Sequence, residues 1–273
     1  MKILNVGNEP FHALSYRTAA SGGGIQHLIF PLLHATVDRL PSGCDALFVC
    51  SDLQGLADMS LPDGTSEPRL VGEVLANELA TLADQATIPP ADKIGILLCG
   101  DLYVRPLLDA RGGLGDVRPV WRAFGQHFRW VAGVPGNHDA FGTLAERLAF
   151  AQEPGIYLLD GTASEIDGIR IAGVGGIIGN IEKPNRRDQQ SFLHTLEQLL
   201  SGEPEILLLH QGPDLPTLGL GGDPRVRKVL EEFGDTLVFC GHLHWRQPIA
   251  QLPQGTQIAN LEARGLLLTL APS

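Results

Sequence analysis

The sequence predicts an α/β fold, and three observations carry that prediction. Short, continuous apolar runs, the pattern of buried strands, recur along the chain between segments with helical spacing. Five of these runs stop abruptly at polar residues, and strand ends are where open α/β sheets bind their ligands. The composition is globular, with 44% of the 273 residues hydrophobic and 19% charged, enough for one full core. No linker, fixed-period repeat or low-complexity tract divides the chain, so one domain over residues 1–273 is expected. No apolar run reaches bilayer length and Met1–Asn5 does not open a signal-peptide core, so a cytoplasmic chain with no membrane partner is expected. The net charge of −11 counts against long nucleic acid as a partner. It suits a small substrate and leaves a homo-oligomer open.

In chain order, Ile3 to Val6 reads as a strand, Gly22-Gly23-Gly24 as a flexible loop, and Ile25 to about Leu40 as a helix. Residues 1–44 are thus an extra N-terminal strand, loop and helix ahead of the first motif. His12, His27 and His34 fall there in no ligand pattern. Asp45 to Cys50 is a strand that delivers Ser51-Asp52-Leu53-Gln54. Pro62 to Pro68 reads as a polar loop. Val71, Val74, Leu75, Leu79 and Leu82 then have helical spacing. The strand Lys93 to Cys99 runs into Gly100-Asp101. Gly112, Gly113 and Gly115 lack the Gly-Lys-Ser/Thr of a phosphate loop. Val120 to Phe128 is a helix, and Phe128 to Val134 a strand turned by Pro135-Gly136 into Asn137-His138-Asp139.

Further on, Phe141 to Phe150 reads as a helix and Ile156 to Leu159 as a strand. Asp167-Gly168 joins Glu165-Ile166 to Ile169–Val174 as a hairpin. Lys183, Arg186 and Arg187 gather positive charge before a helix from about Gln189 to Leu200, as either a solvated face or a phosphate clamp. The strand Glu205 to Leu209 ends at His210. After a helix from Val226 to Phe233, the strand Thr236 to Cys240 ends at Gly241-His242-Leu243-His244. Gln257–Asn260 and Gly265–Leu270 close the chain as strands. Cys44, Cys50, Cys99 and Cys240 form no CxxC, and the last three end apolar runs, which suits small buried residues beneath a site.

Carboxylate, amide and imidazole groups delivered from five strand ends supply what two nearby divalent cations require, one carboxylate being shared. Their order, Asp52-x-Gln54, Gly100-Asp101, Gly136-Asn137-His138-Asp139, His210 and Gly241-His242-x-His244, resembles the calcineurin-like metallophosphoesterase superfamily over most of the chain. The resemblance implies a sandwich of two mixed β-sheets flanked by helices, with a dimetal site at strand ends. It further implies that Asp52, Gln54, Asp101 and His244 hold one metal, and Asp101, Asn137, His210 and His242 the other. His138 would hydrogen-bond the phosphate or protonate the leaving oxygen, with Asp139 behind it to hold it charged.

The metals implied are two divalent ions, Mn²⁺ first, with Fe, Zn, Ni or Mg as alternatives. Gln54 departs from the pattern, which has His there, and an amide oxygen is a harder, weaker ligand. Arg105, four residues after Asp101, is either a phosphate contact or a surface arginine, and Arg186 and Arg187 are candidate substrate contacts. The expected activity is hydrolysis of a small phosphodiester or nucleotide by a metal-activated hydroxide. The alternatives are a phosphomonoesterase, including a protein phosphatase, and, because of Gln54, a catalytically silent protein binding nucleotides or a partner.

Overall fold

The computed structural model describes residues 1–61 and 63–271. Its strands build two large sheets. The ten-stranded sheet runs Ile156–Leu158, Trp130–Gly133, Ile94–Leu98, Ala46–Cys50, Gly265–Leu270, Ile25–Val37, His12–Ala19, Leu56–Ser60 and Ser66–Leu70, with Ile3–Val6 paired beside Val37. Its first four strands are parallel. The six-stranded sheet runs Thr162–Ile166, Ile169–Val174, Ile206–Gln211, Leu237–Gly241, Gln257–Asn260 and Ile249–Gln251, with a parallel centre.

Successive side chains of a strand face opposite ways, and this alternation assembles the layers. In Ala46–Cys50, Leu47 and Val49 face the second sheet, meeting Leu208, Phe239 and Ala259 in a shared inter-sheet core. Phe48 faces outward and packs with Leu75, Trp121 and Phe124 from the helices Val71–Asp84 and Arg118–His127. Leu207 and Val238 likewise face outward from the second sheet, toward Phe192, Leu196 and Leu230 of the helices Gln189–Leu200 and Pro224–Glu232. Local signals start these helices. Asp188 accepts from the Ser191 N–H at 2.9 Å, and Asp223 accepts from the Arg225 N–H at 2.8 Å with Pro224 in the first turn. The result is the mixed two-sheet sandwich flanked by helices that the motif order implies. Among the described residues no helix is long and apolar enough to cross a membrane.

The N-terminal expectation is corrected. Residues 25–37 form a strand, not a helix, and pair antiparallel with His12–Ala19 across the glycine turn. Ile25, Leu28, Ile29, Leu32 and Leu33 mimic helical spacing, but Pro31 in their midst lacks the N–H that a helix interior needs. The buried residues Phe30 and Leu32 follow strand alternation. The region read as a polar loop from Pro62 carries part of a hairpin between Leu56–Ser60 and Ser66–Leu70, and Pro62 itself lies outside the described residues. The two strands escaped notice because their outer face is exposed and polar.

Candidate metal centre

Five strand ends converge at one edge of the sandwich. Ala46–Cys50, Ile94–Leu98 and Trp130–Gly133 bring Asp52, Asp101 and Asn137 from the first sheet, while Ile206–Gln211 and Leu237–Gly241 bring His210 and His242 from the second. The backbone there is held in an uncommon state. Asp52, Asp101 and His242 have φ of 56°, 55° and 70°, in the left-handed region that non-glycine residues seldom adopt. Gly136 is required by close approach, since a Cβ there would lie 2.1 Å from both the backbone nitrogen and Oδ1 of Asp101.

Asp101, His210 and His242 have potential ligand atoms within 4.8 Å of one another, in buried or half-buried positions. His210 is fully buried, and its Nδ1 pairs with the Cys99 carbonyl oxygen at 2.9 Å. That bond makes Nδ1 the donor and turns Nε2 toward Asn137 Oδ1 at 3.2 Å and Asp101 Oδ2 at 3.4 Å. A ring nitrogen, an amide oxygen and a carboxylate oxygen therefore face one point. A divalent cation fits this mixed N/O donor set.

The local electrostatics point the same way. Burial alone would lower the His210 pKa, yet the Asp101 carboxylate beside it raises it to about 10. Burial likewise works against the Asp101 carboxylate, but His210 holds it below the usual range. Asp52 rises to about 7 through burial, opposed by His210, and His242 falls to about 4 through burial and the neighbouring His210. A proton on His210 supplies positive charge that this cluster otherwise lacks. A cation would supply the same charge without the proton.

The remaining expected ligands are placed differently. Asp52 Oδ2 accepts from Ser51 Oγ at 2.7 Å and from the His242 N–H at 3.0 Å, tying the two sheets' strand ends together. Gln54 Nε2 donates to Asp101 Oδ2 at 3.0 Å, so its amide acts here as a donor to the shared carboxylate. His244 is largely exposed, and its Nδ1 pairs with Glu262 Oε2 at 2.6 Å.

His138 stands at the rim, its Nδ1 on the Gly113 carbonyl oxygen at 2.5 Å and its Nε2 3.9 Å from Asp101 Oδ2. Asp139 does not back this ring. Its carboxylate accepts backbone N–H bonds from Gly136 at 2.7 Å, Asp101 at 2.8 Å and Leu102 at 2.8 Å, clamping two strand-end loops together. Burial and the nearby Asp101 push its carboxyl up to about 6.

Arg105 pairs with Asp109 at 3.1 Å, and Arg187 with Asp160 at 2.6 Å. Arg186 has a buried Nε without a partner among the described residues, and its charge reaches His242. Cys50, Cys99 and Cys240 are free, buried thiols, and burial pushes the Cys99 thiol up so that it stays neutral. Sequence reasoning missed the Cys99 and Gly113 carbonyls, which carry no side-chain signature, and Glu262, which lies beyond the last motif.

Residues 46–246, more than half of the chain, match the family model for the calcineurin-like phosphoesterases. No curated protein matches the chain.

Proposed function

The chain belongs to the calcineurin-like phosphoesterase family, metal-dependent hydrolases of phosphate esters, and from that premise we propose that it cleaves a small phosphodiester or nucleotide. In this reading Asp101, Asn137, His210 and His242 hold one divalent cation, Mn²⁺ by preference. Asp52, Gln54 and His244, together with Asp101, would hold a second. When bound, the cations draw charge from the phosphoryl oxygens and acidify water.

The observation that carries the reading is the convergence of Asp101, His210 and His242 with the His138 ring alongside. His138 donates Nδ1–H to the Gly113 carbonyl, which orients Nε2 to the centre. When protonated at both nitrogens it gives the Nε2 proton to the departing ester oxygen as the bond from phosphorus to that oxygen breaks and a bond to the water oxygen forms, the water's proton passing to solvent and the ring being reprotonated from solvent. Asp139 fixes the loops that present Asp101 and His138. Asn137 and the Cys99 carbonyl fix the rotamer and tautomer of His210.

A small ester suits a chain whose net charge of −11 would repel an extended polyanion. The test compares bis-p-nitrophenyl phosphate with p-nitrophenyl phosphate under Mn²⁺. Faster diester turnover is expected, dominant monoester turnover would reverse the preference, and no hydrolysis with any divalent cation would overturn the reading.

A second reading rests on Gln54, whose amide nitrogen faces Asp101 Oδ2. There the chain binds nucleotides or a partner without turnover. Retention of two metals per chain, with turnover lost in His138→Ala, would exclude it.

A further inference from the structure

The hairpin formed by His12–Ala19 and Ile25–Val37 precedes residue 46, where the family match begins, yet it walls the candidate site. Thr18 pairs with Gln26 and Tyr16 with Leu28 across the two strands. These four side chains, on one face of the hairpin by strand alternation, line a cleft of about 90 Å³ together with Asp52, Gln54 and Arg111. The Tyr16 phenol is pushed up to about 12 by burial and by the nearby Glu262 and Asp52 carboxylates, so it remains a hydrogen-bond donor at neutral pH.

Tyr16, Leu28 and Ala263 also line a second, neighbouring cavity of about 960 Å³. Its walls mix aliphatic residues with the polar Asn5, Asn8, Arg246 and Gln257. Ile29, Pro31 and Leu33 line one side as alternate residues of the same strand, and Leu4 and Ile249 also line it. Ile29 and Leu4 are 65% and 57% exposed, an apolar surface without a cover among the described residues. The inner end is formed by His244 and Arg264.

Resting on the phosphodiesterase reading, we propose that this groove takes the ester arm of the substrate, and that the arm is an aliphatic chain joined to the phosphate through a short polar segment. The order of surfaces supports that class. Beside the candidate metal ligands come hydrogen-bonding groups of Tyr16, Thr18, Gln26 and Arg111, matched to hydroxyl or ester oxygens. Beyond them Leu4, Ile29, Pro31, Leu33 and Ile249 form an aliphatic patch within the lining, and of the aromatic residues only Tyr16 lines both cavities among the described residues. A nucleobase would call for stacking aromatic rings along that aliphatic patch. The lining that groove and cleft share, and His244 in the groove wall, favour substrate over a second copy of the chain, because a partner seated there would cover His244.

The test uses the metal-loaded full chain with alkyl 4-nitrophenyl phosphodiesters from methyl to octyl, below their micelle concentrations, and calorimetric binding of octyl against methyl phosphate. We expect kcat/KM to rise by about tenfold or more from methyl to octyl, with tighter octyl phosphate binding. Ile29→Asp should bring the octyl-to-methyl ratio close to one, and Leu4→Asp, also in the groove wall, should do the same. A flat ratio in the wild-type chain overturns the proposal even if bis-p-nitrophenyl phosphate is hydrolysed, as does a ratio that survives both substitutions. A flat ratio with a dimer that dissociates in Ile29→Asp assigns the face to self-association and also overturns it. If no diester is hydrolysed but the octyl binding preference holds, the groove assignment stands and the phosphodiesterase reading fails.

Discussion

Removing the Asp139 carboxylate should destabilise the fold, because its three hydrogen bonds go to buried backbone groups and not to the His138 ring. Asp139→Ala strands the N–H groups of Asp101, Leu102 and Gly136. A buried donor left unpaired costs about 1–3 kcal/mol, so three set an upper range of about 3–9 kcal/mol. Two effects reduce it: water can enter the space left by the carboxyl, and loss of a second buried carboxylate relieves Asp101, whose charge already raises the Asp139 pKa. A net loss of about 3–5 kcal/mol is expected. Asp139→Asn separates the terms. An amide oxygen in the Oδ2 position keeps the Asp101 and Gly136 bonds, while the amide nitrogen opposes the Leu102 N–H, for a cost of about 1–3 kcal/mol. Urea denaturation of the chelator-treated chain, followed by far-UV circular dichroism, removes metal linkage from the comparison. The reasoning is refuted if Asp139→Ala lies within about 1 kcal/mol of the wild type, or if both substitutions leave stability intact and lower kcat alike. That second result would restore a role for Asp139 behind the histidine.

Other consequences are as direct. Because Asp101 raises the His210 pKa to about 10, a cation must displace a proton at neutral pH. Metal affinity should therefore rise with pH by about tenfold per unit or more between pH 6 and 8, with at least one proton released on calorimetry in buffers of different ionisation enthalpy because Asp52, pushed up to about 7, also loses its proton there, and pH-independent affinity would contradict this. Gln54→His replaces an amide that donates to Asp101 with a stronger ligand, and competition titration should show Zn²⁺ affinity raised by on the order of tenfold. Glu146 caps the helix Leu144–Phe150 by accepting from Thr143, which depresses its carboxyl to about 2. Its contribution is thus present above the ordinary carboxylate pKa and lost as pH falls toward 2, so Glu146→Ala should lower Tm at pH 7 and have little effect near pH 2.

The parallel strands were legible because both their faces are buried. Ala46–Cys50, Ile94–Leu98 and Ile206–Gln211 read as unbroken apolar runs for that reason. The N-terminal hairpin was not, since Ile25–Ile29 is largely exposed on both faces and lacks strand alternation, while its aliphatic residues fall at helical intervals. Pro31 was the available signal against a helix. At the site, residue types and their order at strand ends could be read, but not which atoms they hold. Asn137 meeting His210 and Gln54 meeting Asp101 depend on two sheets coming together. The backbone amides that claim Asp139 carry no side-chain signature, and in the sequence its adjacency to His138 pairs it with that ring instead.

The most direct test measures bis-p-nitrophenyl phosphate turnover against metal bound per chain, by elemental analysis, in the wild type and in His210→Ala. The account predicts no turnover in the metal-free chain, a rise with bound metal, and loss of both metal and at least about a hundredfold of turnover in His210→Ala. Equal turnover by the metal-free chain, or full metal binding and turnover in His210→Ala, would contradict it.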